Sequence, residues 1–214
     1  MAREVSRLGI VGTGVMGAGI AQIAAQAGLE VALYDKRDGA ASAACDGLQA
    51  TFDKLVGKGK LSRESAEVAL SHLSVVESMT ALADRDMVIE AIVEDLGIKQ
   101  ALFADLEAIV SRDCVLATNT SSLSVTAIAA GLTCPGRVAG FHFFNPVPLM
   151  KVIEVIGGID TDEAVVDTLL KLASRLGHTG VRAQDTPGFI VNHAGRAYST
   201  EGLKILEERV APPE

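Results

Sequence analysis

The sequence predicts an α/β fold built on a doubly wound, mainly parallel sheet. Three observations carry that expectation. Short β-rich apolar runs alternate with helical stretches along most of the 214 residues, the order of βαβ units joined by right-handed crossovers. Mean hydropathy is +0.32 and 49% of residues are hydrophobic, which suits strands buried on both faces. The first apolar run ends in a glycine-rich turn that opens a helix.

Taken in order, strands are expected at residues 7–11, 30–34, 74–76, 87–92, 115–118, 138–143, 151–156 and 179–182. Each is a short run rich in Val, Ile, Leu or Phe, bounded by turn residues. Helices are expected at 15–27, 38–56, 63–69, 96–110, 125–130 and 162–176, with the Gly57-Lys58-Gly59-Lys60 stretch separating the second from the third. The punctuation changes at Asp185-Thr186-Pro187-Gly188, and the text then reads as one long helix from Phe189 to about Val210. Its apolar positions Phe189, Ile190, Val191, Leu203, Ile205 and Leu206 have little to pack on by themselves. Residues 1–186 are therefore read as one α/β domain. Residues 187–214 are read as the first helix of an all-helical second domain.

Composition excludes several functions. Net charge is −8 and the basic residues are scattered, so there is no cationic groove for nucleic acid. Aromatics are 4% with no Trp, which argues against base-stacking platforms. The three cysteines, Cys45, Cys114 and Cys134, form neither a disulfide framework nor a zinc spacing, so no metal is expected. They read as reduced thiols of a cytoplasmic protein. Leu8 to Leu29 is free of charge and on length alone fits a membrane or export segment. Its six glycines have a better explanation, and no membrane association is expected.

That explanation is Gly12-Thr13-Gly14-Val15-Met16-Gly17. A G-x-G-x-x-G text alone is weak. Here it follows a strand, opens a helix and precedes a second strand ending in Asp35, about twenty positions on. Together these form a Rossmann-type dinucleotide fingerprint. Gly12 permits the turn, Gly14 lets the backbone approach a pyrophosphate, and Gly17 allows close helix–strand packing. The N–H groups of the helix start, around Val15 and Met16, favour an anion. Asp35 would accept the adenosine ribose hydroxyls, which favours NAD over NADP, although Lys36 and Arg37 keep NADP in play. The competing reading is a ligand-free glycine turn with Asp35 as a helix cap.

Further along, Ser121 follows a strand, His142 ends the next, Glu154 lies within an apolar strand and Asn192 sits after Pro187-Gly188. A hydroxyl, an imidazole, a carboxylate and an amide on successive elements are the parts of an acid–base site for a carbonyl/alcohol pair. Singly each has a plainer reading: a core histidine, a structural ion pair, a helix cap.

Together these stretches resemble the 3-hydroxyacyl-CoA dehydrogenase family. The matching texts are the glycine loop, Glu90-Ala91-Ile92-Val93-Glu94, Asn119-Thr120-Ser121-Ser122-Leu123, His142-Phe143-Phe144-Asn145-Pro146, and Asp185 through Asn192. They run in family order across nearly the whole chain. The resemblance implies NAD-dependent oxidation of 3-hydroxyacyl-CoA in β-oxidation-type fatty acid metabolism. His142 would be the general acid/base and Glu154 its partner, with Ser121 and Asn192 at the substrate oxygen. Glu94, Lys99, Asn145 and Ser121 would surround the nicotinamide half of NAD. A lysine of the Lys54/Lys58/Lys60 stretch, written here as Lys58, would meet the CoA phosphates of the acyl-CoA substrate.

The resemblance also implies a dimeric full-length form, with a helical domain of which only the first helix is present here. Asn192 is accordingly expected to be poorly held, and the chain to turn over slowly. In a crystal the terminal helix is expected to seek an intermolecular contact through residues 189–206. Two alternatives stay open: a dinucleotide-binding module without turnover, and a related β-hydroxyacid dehydrogenase acting on a small carboxylate.

Overall fold

The computed structural model describes residues 3–210; residues 1–2 and 211–214, the last four assigned above to the second domain, lie outside the described residues. Eight strands form one sheet: β1 (Arg7–Val11), β2 (Glu30–Tyr34), β3 (Leu73–Val75), β4 (Met87–Glu90), β5 (Val115–Thr118), β6 (Val138–Phe143), β7 (Val152–Gly157) and β8 (Thr179–Gln184). Their order is β3-β2-β1-β4-β5-β6-β7-β8. All neighbours are parallel except β6 and β7. That exception follows from chain length. The link between β6 and β7 is too short for a crossover helix, so the chain reverses.

Among the described residues seven α-helices accompany the strands: α1 (Val15–Gln26), α2 (Ala40–Gly57), α3 (Arg63–Ser71), α4 (Leu96–Ile109), α5 (Val125–Ala129), α6 (Glu163–Arg175) and α7 (Val191–Glu207). The sequence also left two 3-10 turns unread, Met79–Leu82 and Pro135–Arg137.

Side-chain alternation sorts the core into two layers. Ile10, Ile89, Ala117 and Phe141 pack with α1, α2, α3 and α6 on one face. Val11, Val88, Leu116 and Val138 pack with α4 and α5 on the other. The parity matters for function. Glu90, Thr118, His142 and Glu154 share the phase of Val88, Leu116 and Val138, so they stand on the α4/α5 face near the ends of their strands.

Two departures from the expected elements have local causes. α2 begins two residues late because Gly39 takes φ 73°. β4 stops at Glu90 because the chain turns there and the Ile92 N–H donates to Glu90 Oε1 at 2.7 Å.

The expected helix from Phe189 also needs correction. Phe189 lies before α7, with φ 50°, and is buried in the layer formed by α4 and α5. It is no part of an outward apolar face. Beyond it no residue of α7 is buried; Leu203, Ile205 and Leu206 are exposed. Among the described residues no helix is long and apolar enough to cross a membrane.

Candidate active site

The glycine loop sits where β1 meets α1. A Cβ on Gly12, whose φ is 94°, would lie 2.6 Å from the Ala91 carbonyl oxygen, and one on Gly17 would lie 1.9 Å from the Gly12 oxygen. Both positions exclude any side chain. Gly14 differs: a Cβ there would meet nothing within 4 Å. It leaves bare backbone facing open space. It is also the N-cap of α1, with no side-chain cap and no acidic residue in the first turn. The N–H groups of that turn, next to Val15 and Met16, thus lack the usual protein acceptor. These are the features a dinucleotide pyrophosphate requires.

Asp35, just past β2, faces the loop, as the fingerprint expects. Its carboxylate is already engaged. Oδ2 accepts from the Thr13 N–H (2.8 Å) and hydroxyl (2.9 Å), and Oδ1 accepts from the Arg37 N–H and Nε, both at 3.0 Å. Arg37 Nη2 adds a second bond from its side chain, to Oδ2. The guanidinium holds the Asp35 carboxyl far below the usual carboxylate range, assisted by Thr13 and opposed by burial. The Arg37 side chain is 72% exposed, so a ribose diol has only a solvated partner to displace. Sequence reasoning missed the Thr13 and Arg37 contacts.

His142 and Glu154 are direct cross-strand partners. Nδ1 of His142 lies 2.6 Å from Glu154 Oε2. Oε1 of the same carboxylate accepts the N–H groups of Ile190 (2.8 Å) and Val191 (2.9 Å) at the start of α7. An ionised carboxylate in this position puts the proton on Nδ1 and leaves Nε2 as the basic nitrogen. Phe144 and Phe189 flank the ring, with centroids 4.5 and 5.7 Å away.

Ser121 follows β5. Its N–H and hydroxyl donate to Glu94 Oε1 at 2.8 and 3.1 Å, and the Thr120 hydroxyl adds a bond of 2.6 Å. Burial works against the charge on Glu94, but the Thr120 hydroxyl, the Ser121 N–H and the Lys99 ammonium outweigh it and hold its pKa below the ordinary value. Lys99 is 1% exposed. Its Nζ pairs with Glu90 and stands 3.4 Å from Glu94 Oε2. The sequence-expected set Glu94, Lys99 and Ser121 is thus brought together, with Glu90 added to it. Glu90 is fully buried at the end of an apolar run; its parity on the strand was the signal that could have singled it out.

The remaining expected residues are less integrated. Asn192 was expected to be poorly held, yet its Nδ2 donates to the Ser121 carbonyl at 3.1 Å. The Glu154 bonds to Ile190 and Val191 fix the turn that carries it. Asn145 is exposed between β6 and β7, and Lys58 is exposed at the C-cap of α2. Asp185, unassigned from sequence, accepts from the Val125 N–H, the Thr126 N–H and the Ser124 hydroxyl. It ties the segment leading to α7 to the N-terminus of α5.

Comparison with known proteins gives a consistent picture. Residues 7–186 match the family described as "3-hydroxyacyl-CoA dehydrogenase, NAD binding domain". The chain is 47% identical over 211 residues to the 3-hydroxyadipyl-CoA dehydrogenase of Escherichia coli K12, covering 99% of this chain and 44% of that protein. It is 39% identical over 208 residues to a 3-hydroxybutyryl-CoA dehydrogenase of Clostridioides difficile, covering 97% and 74%. Among solved structures, a 3-hydroxybutyryl-CoA dehydrogenase from E. coli superposes with a TM-score of 0.96 at 46% identity, over 99% of this chain and 45% of that one. The (S)-3-hydroxybutyryl-CoA dehydrogenase of Ralstonia eutropha gives 0.95 at 34%, over 98% and 74%. The chain therefore spans less than half of the E. coli proteins and about three quarters of the others.

Proposed function

Because this chain belongs to the 3-hydroxyacyl-CoA dehydrogenase family and carries its NAD-binding domain, we propose that it interconverts a 3-hydroxyacyl-CoA and the 3-ketoacyl-CoA. His142 is the general acid/base and Glu154 its partner. The observation that carries this reading is the His142–Glu154 pair at 2.6 Å, set on the sheet face that also bears Glu90 and Thr118.

NAD fits the residues present. The bare backbone of Gly14, the uncapped first turn of α1 and the Asp35 carboxylate suit its pyrophosphate and ribose. Glu94, Lys99, Ser121 and Asn145 would take the nicotinamide half. NAD, when bound, accepts the hydride from C3 in the oxidative direction.

The protein's own groups handle the proton. Nε2 of His142 takes it from the C3 hydroxyl, while Nδ1–H donates to Glu154, whose negative charge stabilises the imidazolium that forms. Ser121 and Asn192 hold the substrate oxygen as charge develops on it. To donate there, the Ser121 hydroxyl gives up its 3.1 Å bond to Glu94; Glu94 keeps the Thr120 hydroxyl and the Ser121 N–H as donors. Phe144 and Phe189 limit water around the ring.

Lys58, exposed at the end of α2, would meet the CoA phosphates. A place in fatty acid metabolism is supported by the acyl-CoA names of the relatives; a dimeric form and a cytoplasmic location are part of the same proposal.

One assay tests the reading against its alternatives: NADH formation with 3-hydroxybutyryl-CoA compared with free 3-hydroxybutyrate. Turnover of the thioester alone supports it. Preference for the free acid favours a small-carboxylate enzyme. NADH binding with no turnover of either favours a module that only binds.

A further inference from the structure

We propose that Glu90 sets the charge of the nicotinamide pocket, so that the cluster of the buried Glu90–Lys99 pair and the exposed Glu94 favours the oxidised, cationic cofactor over the reduced, neutral one. The proposal rests on the reading above that the nicotinamide half lies against Glu94, Lys99 and Ser121.

Glu90 is the acceptor in each of its hydrogen bonds. Its Oε1 accepts from the Ile92 N–H at 2.7 Å and pairs with Lys99 Nζ. Its Oε2 meets the Thr118 hydroxyl at 2.6 Å. The Thr118 hydroxyl donates this bond, and its oxygen also accepts the Thr120 N–H at 3.2 Å. Glu94 likewise accepts only, from Thr120, Ser121 and Lys99. Two carboxylates therefore share one ammonium, and the cluster carries one net negative charge.

Glu90 and Lys99 are 0% and 1% exposed, so solvent screens that pair weakly, while the Glu94 side chain, 37% exposed, is the part of the cluster that meets the pocket. A structural ion pair would need one carboxylate. The second leaves the site electronegative where a ring carrying positive charge in one redox state, and none in the other, is to be bound. Glu90 touches no ligand itself. It acts as a positioning residue, pinning the Lys99 ammonium at the back of the site so that Glu94 faces the pocket with its charge only half compensated.

The test is the ratio of dissociation constants for NAD+ and NADH, measured by direct binding without substrate. Glu90→Gln removes one charge and keeps the shape. Its amide can accept from the Ile92 N–H and turn its nitrogen to the Thr118 hydroxyl. The expected result is weaker NAD+ binding with little change for NADH, so that Kd(NAD+)/Kd(NADH) rises roughly four- to twentyfold. A purely structural role would weaken both forms together; an unchanged ratio overturns the proposal.

Should Glu90→Gln fail to fold, the double variant Glu90→Gln/Lys99→Met removes the buried pair as a unit and leaves Glu94 as the one net charge. Because Lys99 belongs to the nicotinamide set, both affinities are expected to fall, but their ratio should stay within about twofold of wild type, and a shift toward NADH overturns the proposal. If the unaltered protein binds neither form, it is the cofactor reading, not the role of Glu90, that fails.

Discussion

Glu154 faces His142 across an antiparallel strand pair and places Oε2 2.6 Å from Nδ1. The pairing is fixed by backbone register, not by a flexible loop. A neutral isostere at position 154 therefore tests charge without moving the ring. Glu154→Gln is expected to lower kcat by about a hundredfold or more, and His142→Ala to lower it at least as far. Neither should change NADH affinity by more than about twofold. Steady-state kinetics beside NADH fluorescence titration check this; near-normal turnover by either variant would remove the pair from the mechanism.

Asp35→Ala should weaken NADH binding by about 2 kcal/mol, the scale of hydrogen bonds to a charged group, or about thirtyfold in Kd. Discrimination against NADPH should fall at the same time, because the carboxylate that repels a 2′-phosphate is gone and Arg37 is freed. Equal Kd values for variant and wild type would show that the ribose is held elsewhere.

The Asp35 carboxyl also makes stability depend on pH. Its pKa in the folded chain is depressed, chiefly by Arg37. Its stabilising effect is therefore complete above the ordinary Asp value near 4 and is lost as pH falls below that value toward the depressed one. Asp35→Asn should have a lower Tm than wild type at pH 7, and the gap should narrow by pH 3. A gap that does not change over this range would contradict the assignment.

Gly17→Ala places a methyl 1.9 Å from the Gly12 oxygen. The contact is with backbone, so α1 must move away from β1. A loss of roughly 1–3 kcal/mol is expected, together with loss of NADH binding. Gly14→Ala meets no protein atom. It should keep wild-type stability and lose only affinity. Thermal unfolding and titration of the two variants separate these effects.

Lys58→Ala should raise KM for an acyl-CoA several-fold and leave NADH affinity untouched. A change of no more than the experimental scatter would move the phosphate contact to another lysine of that stretch.

Much of this architecture was legible because β-strands buried on both faces leave continuous apolar text, and because the turn at Gly12 demands positive φ. Motif order named His142 with Glu154 and Ser121 with Asn192, and each of these pairs is in contact in the fold. What was hidden has a common cause. Glu90 reads as one polar letter in an apolar run, and only pairing it with Lys99 nine positions on, across a turn and a helix start, gives it meaning. Thr13 and Arg37 converge on Asp35 from different segments. Phe189 reads as helix text, yet a φ of 50° turns it inward to the imidazole. None of these follows from periodicity: most depend on where separate segments meet, and the Arg37 contact on a local turn two positions beyond Asp35.

The second oxygen of Glu154 has one more consequence. By accepting the Ile190 and Val191 N–H groups, it makes one carboxylate both the support of the imidazole and the seat of the hinge from which α7 departs. Swinging that helix outward about Ile190 would strip two donors from the group that polarises the ring. Whatever follows α7 thus cannot change its attitude silently. Cleft geometry and the readiness of the base are read from the same atom pair, and an opened state would announce itself at His142 before any substrate arrived.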